Sequence, residues 1–191
     1  MSSDWKRRTV KDKATGKAVA QLTHSVSTKG KYEAFKKLAQ IKRKQGAFGA
    51  RQEFTKKKMV KAFVSGRIRR RKAGAKRDPL SKIDVLNPSF KPAKIHKSHL
   101  MADIFGGPSS QENLVNEAHS INLGAHKPVE NRIDKFIDLN RTDDNPLKRR
   151  GSMVVMDEFD DNGAVQKRTY GVHIDAGTGV ESFHSFTVTR K

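Results

Sequence analysis

The chain of 191 residues contains no cysteine. That absence excludes disulfide frameworks, thiolate zinc sites, iron–sulfur clusters and cysteine nucleophiles together. Apolar residues are sparse as well: 35% are hydrophobic and 7% aromatic, and the mean hydropathy is −0.75. No apolar run approaches the roughly 18–20 residues of a membrane span, and the amino terminus has no apolar signal-peptide core. The expectation is a soluble chain without a signal peptide or a membrane partner, cytoplasmic where it is made. Acidic residues are also short in supply, with 20 Asp+Glu against 40 Lys+Arg and a formal charge of +20. A surface of that sign fits a polyanion.

The charge is unevenly placed. Residues 1–100 hold 29 Lys and Arg but only 6 Asp and Glu, whereas residues 101–191 hold 11 and 14. The dense runs are Lys42 to Lys44, Lys56 to Lys58, and Arg67 to Lys72. This asymmetry predicts a basic arm, 1–78, joined to a near-neutral folded module, 79–191. Asp78-Pro79, Asn87-Pro88 and Lys91-Pro92 punctuate the join.

Within the arm, residues 1–28 are polar without sustained period and read as loop or disorder. Tyr32, Phe35, Leu38 and Ile41 recur every three residues and predict a helix over 29–44. Phe54, Met59, Val60 and Phe63 suggest a second basic helix over 50–64, after a turn at Gly46 and Gly49. In the module, Ser152 to Met156, Val165 to Ile174 and Glu181 to Thr189 read as three strands. The turns between them are Asn162-Gly163, a strong hairpin signal, and Gly177-Thr178-Gly179. The expected fold is α+β: a basic, partly helical arm followed by a core with a small antiparallel sheet.

Chemistry is concentrated between Ile95 and Ile137. A short extended segment ends at His99, a Gly106-Gly107-Pro108 loop follows, and a helix is expected over about 119–137, kinked or interrupted by Pro128. On such a helix Asn122, His126 and Glu130 share one face. A strand-end histidine, an irregular loop and a helix presenting Asn make a ββα arrangement able to hold one divalent metal beside a histidine base.

These residues resemble the DNA/RNA non-specific endonucleases, a branch of the His-Me finger (ββα-metal) nucleases. His99 stands at the position of the family's base, inside Ser-His-Leu-Met-Ala. Asn113, in Asn-Leu-Val, matches a first Asn. Asn122, in Ile-Asn-Leu-Gly-Ala-His, matches the metal-ligand Asn, with Glu130 at the eight-residue spacing. The pattern departs from the family at His96-Lys97-Ser98-His99, where Asp-Arg-Gly-His is common, and at His126, where an aromatic usually follows Gly-Ala.

The resemblance implies a metal-dependent endonuclease acting on DNA, RNA or both. His99 would be general base, and Mg²⁺ or Mn²⁺ would sit on Asn122. Glu130 would orient a metal-bound water, and Asn113 would position the His99 loop or a water. Lys97 or Arg132 would stabilise phosphorane charge, with Arg67, Arg69, Arg70 and Arg71 binding nucleic acid. The products would carry 5′-phosphate and 3′-hydroxyl ends. A small cysteine-free nuclease with a basic leader also resembles toxin effectors delivered by bacterial secretion or injection systems, which implies an immunity or delivery protein as partner. The competing class is a non-catalytic nucleic-acid-binding protein that uses its basic half for counterion release.

Overall fold

The computed structural model describes residues 5–42, 47–69, 79–139, 149–175 and 181–191. Among these residues nine strands and three α-helical segments form an α+β fold. The strands are β1 (Arg7–Lys11), β2 (Ala18–Val26), β3 (Gly49–Thr55), β4 (Lys58–Arg69), β5 (Ile95–His99), β6 (Leu114–Ala118), β7 (Arg149–Phe159), β8 (Val165–Asp175) and β9 (Glu181–Arg190). The helices are α1 (Lys29–Ala39), α2 (His119–Ile121) and α3 (Lys127–Leu139), with a π-helical turn at Asn122–His126 joining the last two.

Seven strands form one antiparallel sheet in the order β1-β2-β9-β8-β7-β4-β3, while β5 and β6 pair separately. The expected meander is present as β7, β8 and β9, with the Asn162-Gly163 hairpin between the first two. The Gly177-Thr178-Gly179 turn lies outside the described residues.

The amino-terminal half departs from expectation. Residues 7–11 and 18–26 form a strand hairpin rather than a loop, and β2 pairs with β9 along Ala20↔Arg190 to Val26↔His184. The helix expected over 50–64 is instead the β3–β4 hairpin, turning at Lys56 and Lys57 with φ of 48° and 65°. The physical reason lies in β4, which is covered on both faces. Ala62 and Val64 enter the main core while Phe63 enters a second cluster on the other side. A short apolar run buried on both sides has no alternation to distinguish it from a helix.

The arm-and-module division at residue 78 is therefore crossed by the sheet, since β4 pairs with β7 from Lys61↔Glu158 to Arg69↔Arg149. The segment after it is pinned as well. Asn87 is buried, donating to the carbonyls of Asn116 (3.0 Å) and Gly163 (2.8 Å) and accepting from Asn116 N–H (2.6 Å).

The sheet is the middle of three layers. On one face α1 packs Tyr32 and Phe35 against Phe63, Val154, Met156 and Phe183. A Cβ on Gly171 would lie 2.7 Å from Phe35, so this close approach needs glycine. α1 covers the first part of the expected 29–44 span, starting at a Thr28 cap whose side chain accepts from Lys31 N–H. It ends at Ala39 before Gln40 in the left-handed region, with Leu38 of the stripe exposed and Ile41 beyond the helix. The opposite face carries Leu22, Val64, Val155, Tyr170, Val172, Phe186 and Val188 against the β5–β6–helix unit. Val129, Ile133 and Ile137, spaced four apart on α3, supply the facing stripe.

Candidate active site

β5 and β6 pair antiparallel, Ile95↔Ala118 through His99↔Leu114, and the chain passes directly from β6 into the helical segment. His99 is thus the last residue of a strand, as expected. The irregular loop that follows returns through Asn113, whose backbone carbonyl accepts from Leu100 N–H at 3.0 Å. The fully buried Asn113 side chain accepts from Met101 N–H at 2.9 Å and donates to the carbonyls of Met101 and Pro108, both at 2.9 Å. Its role is to lock the loop, and it does not line the cavity described next. Gly107 belongs to the same lock, for a Cβ there would fall 1.8 Å from the Met101 carbonyl oxygen.

Pro128 does not break the helix. The π turn just before it closes through Lys127 N–H to the Asn122 carbonyl, a wider turn next to the residue that lacks a donor. Gly124 in that turn lets it approach β1, where an added Cβ would sit 3.1 Å from Val10.

His99, Asn122 and Glu130 line one cavity of about 350 Å³, together with His96, Lys97 and Lys127. His99 Nε2 lies 3.3 Å from Ser109 Oγ. The Asn122 amide donates to His96 Nδ1 at 3.3 Å, and His96 Nε2 faces His119 Nδ1 at 2.8 Å. Burial, and then the neighbouring His119, hold His96 below the usual imidazole range. Among the described residues no three His, Asp or Glu side chains form a ready-made metal-ligand group. The same cavity does present oxygen-bearing side chains, the Asn122 amide and the Glu130 carboxylate, a chemical class that suits small divalent cations.

The cations expected to serve the site are distributed otherwise. Lys97 lines the cavity but turns its ammonium to the carbonyls of Leu80 (2.7 Å), Ser81 (3.3 Å) and Ile83, so it closes a backbone turn. Arg132 faces the sheet, donating to His24 Nδ1 at 3.1 Å with its guanidinium 5.0 Å from the Trp5 ring centre. In both cases the cation is taken up by groups within its reach, backbone carbonyls for Lys97 and an imidazole with an aromatic face for Arg132. Arg67 and Arg69 border a separate cavity of about 380 Å³ beside Met101 and Gly106. Arg70 and Arg71 lie outside the described residues.

Two residues were missed from sequence. Lys127, at the start of α3, lines the cavity. Arg168 on β8, fully buried, grips Asp157 with Nε at 2.6 Å and Nη2 at 2.8 Å. Its Nη1 donates to the His99 carbonyl at 3.0 Å and to Ser98 Oγ at 3.3 Å. Asp157 and Arg168 are direct cross-strand partners, a register that can be counted outward from the Asn162-Gly163 turn. Opposite charges at facing positions, Asp157 with Arg168 beside Glu158 with Lys167, were the available signal.

This geometry sits inside a recognisable segment. Residues 64–146 match the family model described as DNA/RNA non-specific endonuclease. That is the family resembled by the His99–Glu130 pattern. The matched stretch runs from the middle of β4, through the cavity, past α3. β1, β2, α1, β3, β7, β8 and β9 lie outside it. No curated protein and no solved structure matches the chain.

Proposed function

We propose that the chain is a divalent-cation-dependent endonuclease that hydrolyses phosphodiester bonds of DNA and RNA without base readout. The observation that carries this reading is the convergence of His99, Asn122 and Glu130 on one cavity within the family-matched stretch.

The imidazole of His99 takes the proton from the attacking water, a task suited to neutral pH. Ser109 orients the ring through Nε2, and Arg168 fixes the backbone that carries it. Asn122 would hold the cation through its amide oxygen, with substrate phosphate and waters completing the shell. When bound, that cation supplies Lewis-acid polarisation of the phosphate and stabilises the leaving 3′ oxygen. Glu130 holds a water in place beside Asn122, and Lys127 faces the phosphate in the role expected of Lys97.

The test is incubation of plasmid DNA and of RNA with the protein in Mg²⁺ or Mn²⁺, beside EDTA controls and His99→Ala and Asn122→Ala. Loss of roughly 10²–10⁴-fold in rate is expected for the base variant, and EDTA should stop cleavage. Intact nucleic acid in every arm, with binding retained, would replace this reading by the non-catalytic binder.

A further inference from the structure

The cavity contains a histidine that the proposed mechanism leaves idle. His96 lies three residues before His99 on β5 and lines the same cavity. Its two ring nitrogens have different neighbours. Nε2 is 2.8 Å from Nδ1 of His119, and Nδ1 is 3.3 Å from the Asn122 amide. Because the Asn122 N–H donates to Nδ1, that nitrogen carries a lone pair and the ring proton sits on Nε2, shared with His119. A metal-binding imidazole needs this arrangement: one nitrogen fixed by a hydrogen-bond acceptor, the other presented as a lone pair.

The spacing suits a shared cation. Two donors bound at right angles, each about 2.1 Å from an ion, stand about 3.0 Å apart. The 3.3 Å between His96 Nδ1 and the Asn122 amide nitrogen is close to that. A half-turn of the terminal amide puts its oxygen where its nitrogen now lies, leaving the backbone unmoved.

Resting on the endonuclease reading, we propose that His96 is a second protein ligand beside Asn122. The site then takes a first-row transition-metal dication in preference to Mg²⁺. Imidazole nitrogen binds Mn²⁺ weakly, Co²⁺ and Zn²⁺ progressively better, and adds little for Mg²⁺, which favours oxygen and keeps its waters. His119 is a positioning residue that holds the His96 tautomer.

Binding can be read without turnover. The full chain is titrated with Co²⁺ by visible absorption and with Co²⁺ and Mg²⁺ by calorimetry, beside His96→Ala, His96→Asp and Asn122→Ala. Circular dichroism checks that each variant is folded. Wild type should bind Co²⁺ with a spectrum that includes nitrogen ligation, and His96→Ala should lose about tenfold or more in Co²⁺ affinity. Mg²⁺ affinity in that variant should move far less. His96→Asp, which swaps nitrogen for oxygen, should tilt the preference back toward Mg²⁺ and serves if the alanine variant does not fold. An unchanged Co²⁺ spectrum in His96→Ala, or equal losses for both ions, would overturn the proposal while Asn122-dependent cleavage could stand. Failure of the endonuclease reading looks different: His96-dependent Co²⁺ binding with DNA and RNA left uncut.

Discussion

Arg168 donates from Nη1 to the backbone carbonyl of His99 at 3.0 Å, across the boundary between the large sheet and the β5–β6 unit. The base of the proposed reaction is thus held by a strand outside the family-matched stretch. Arg168→Lys keeps the charge but cannot serve both Asp157 oxygens and the His99 carbonyl at once. It should lower kcat by about tenfold or more with little change in KM, since the affected group acts on His99 and not on substrate. Arg168→Met strands a fully buried Asp157 and should cost ~3–5 kcal/mol in denaturant unfolding. If Arg168→Lys leaves kcat unchanged, the contact is structural only.

The loop lock makes a separate prediction. Asn113→Ala removes three buried hydrogen bonds around Met101 and Pro108 and should destabilise by about 2–4 kcal/mol. Asn113→Asp is no rescue, because it points an acceptor at two carbonyls. Equal urea midpoints for Asn113→Asp and wild type would contradict this assignment.

Lys127 and Arg132 are five residues apart on α3 and should behave oppositely. Lys127→Gln should reduce cleavage by roughly tenfold through lost charge at the phosphate. Arg132→Gln should leave kcat intact and lower the melting temperature, as its partners include His24, Trp5 and Phe136. Exchange of these two phenotypes would place the substrate on the other face of the helix.

Beneath the site, burial pushes the Glu117 carboxyl up to about 7, against the pull of Arg168. Burial, reinforced by Arg168, holds His126 well below the usual imidazole range, 3.4 Å from Glu117. The folded chain therefore keeps the Glu117 proton where the unfolded chain has lost it. That contribution is full below pH 4.5 and disappears as pH rises through about 7. His126 acts in the other direction, with stability falling as pH drops below 6.5. Glu117→Gln removes only the first dependence. Its stability relative to wild type should climb between pH 5 and 7 by on the order of 2–3 kcal/mol and then level off. Parallel urea curves across that range would refute the assignment.

The β3–β4 turn offers a stabilising change. Lys56 and Lys57 both occupy the left-handed region, with φ of 48° and 65°. Lys56→Asn with Lys57→Gly supplies residues that adopt it readily and should raise stability by about 1 kcal/mol. A lowered melting temperature would show that the lysine side chains matter to the hairpin.

These cases also show what the sequence disclosed. The order of strand, loop and helix was legible because its chemistry is local: His99 ends a strand, Asn122 and Glu130 sit on one helical run, and their spacing places them together, whereas β6 between loop and helix was not read as a strand. The β7–β9 meander was legible because Val165 to Ile174 alternates and Asn-Gly marks the turn. β4 was not, because its two faces are both covered, and its hairpin turns on Lys56-Lys57 with no glycine to announce it. Nor did the basic character of the first hundred residues mean an arm. Lysines occupy exposed turns such as Lys56 to Lys58, while Ala62, Phe63 and Val64 between the charges go inward. The roles of Lys97 and Arg132 were hidden for a related reason, since a side chain's charge does not say which carbonyl or ring will claim it.

The sheet order has a kinetic consequence. β9 lies between β2 and β8, so Ala20 meets Arg190 and Val26 meets His184. A central strand contributed so late gives the chain high contact order, and such topologies fold slowly. On a ribosome, the β1–β2 hairpin has no place to dock until residues 181–190 have emerged. Before then β2 and β8 would each present an open edge, the geometry that invites mispairing and chaperone capture. The rate at which β9 inserts should therefore set the time at which Arg168 and the cavity become parts of one finished molecule.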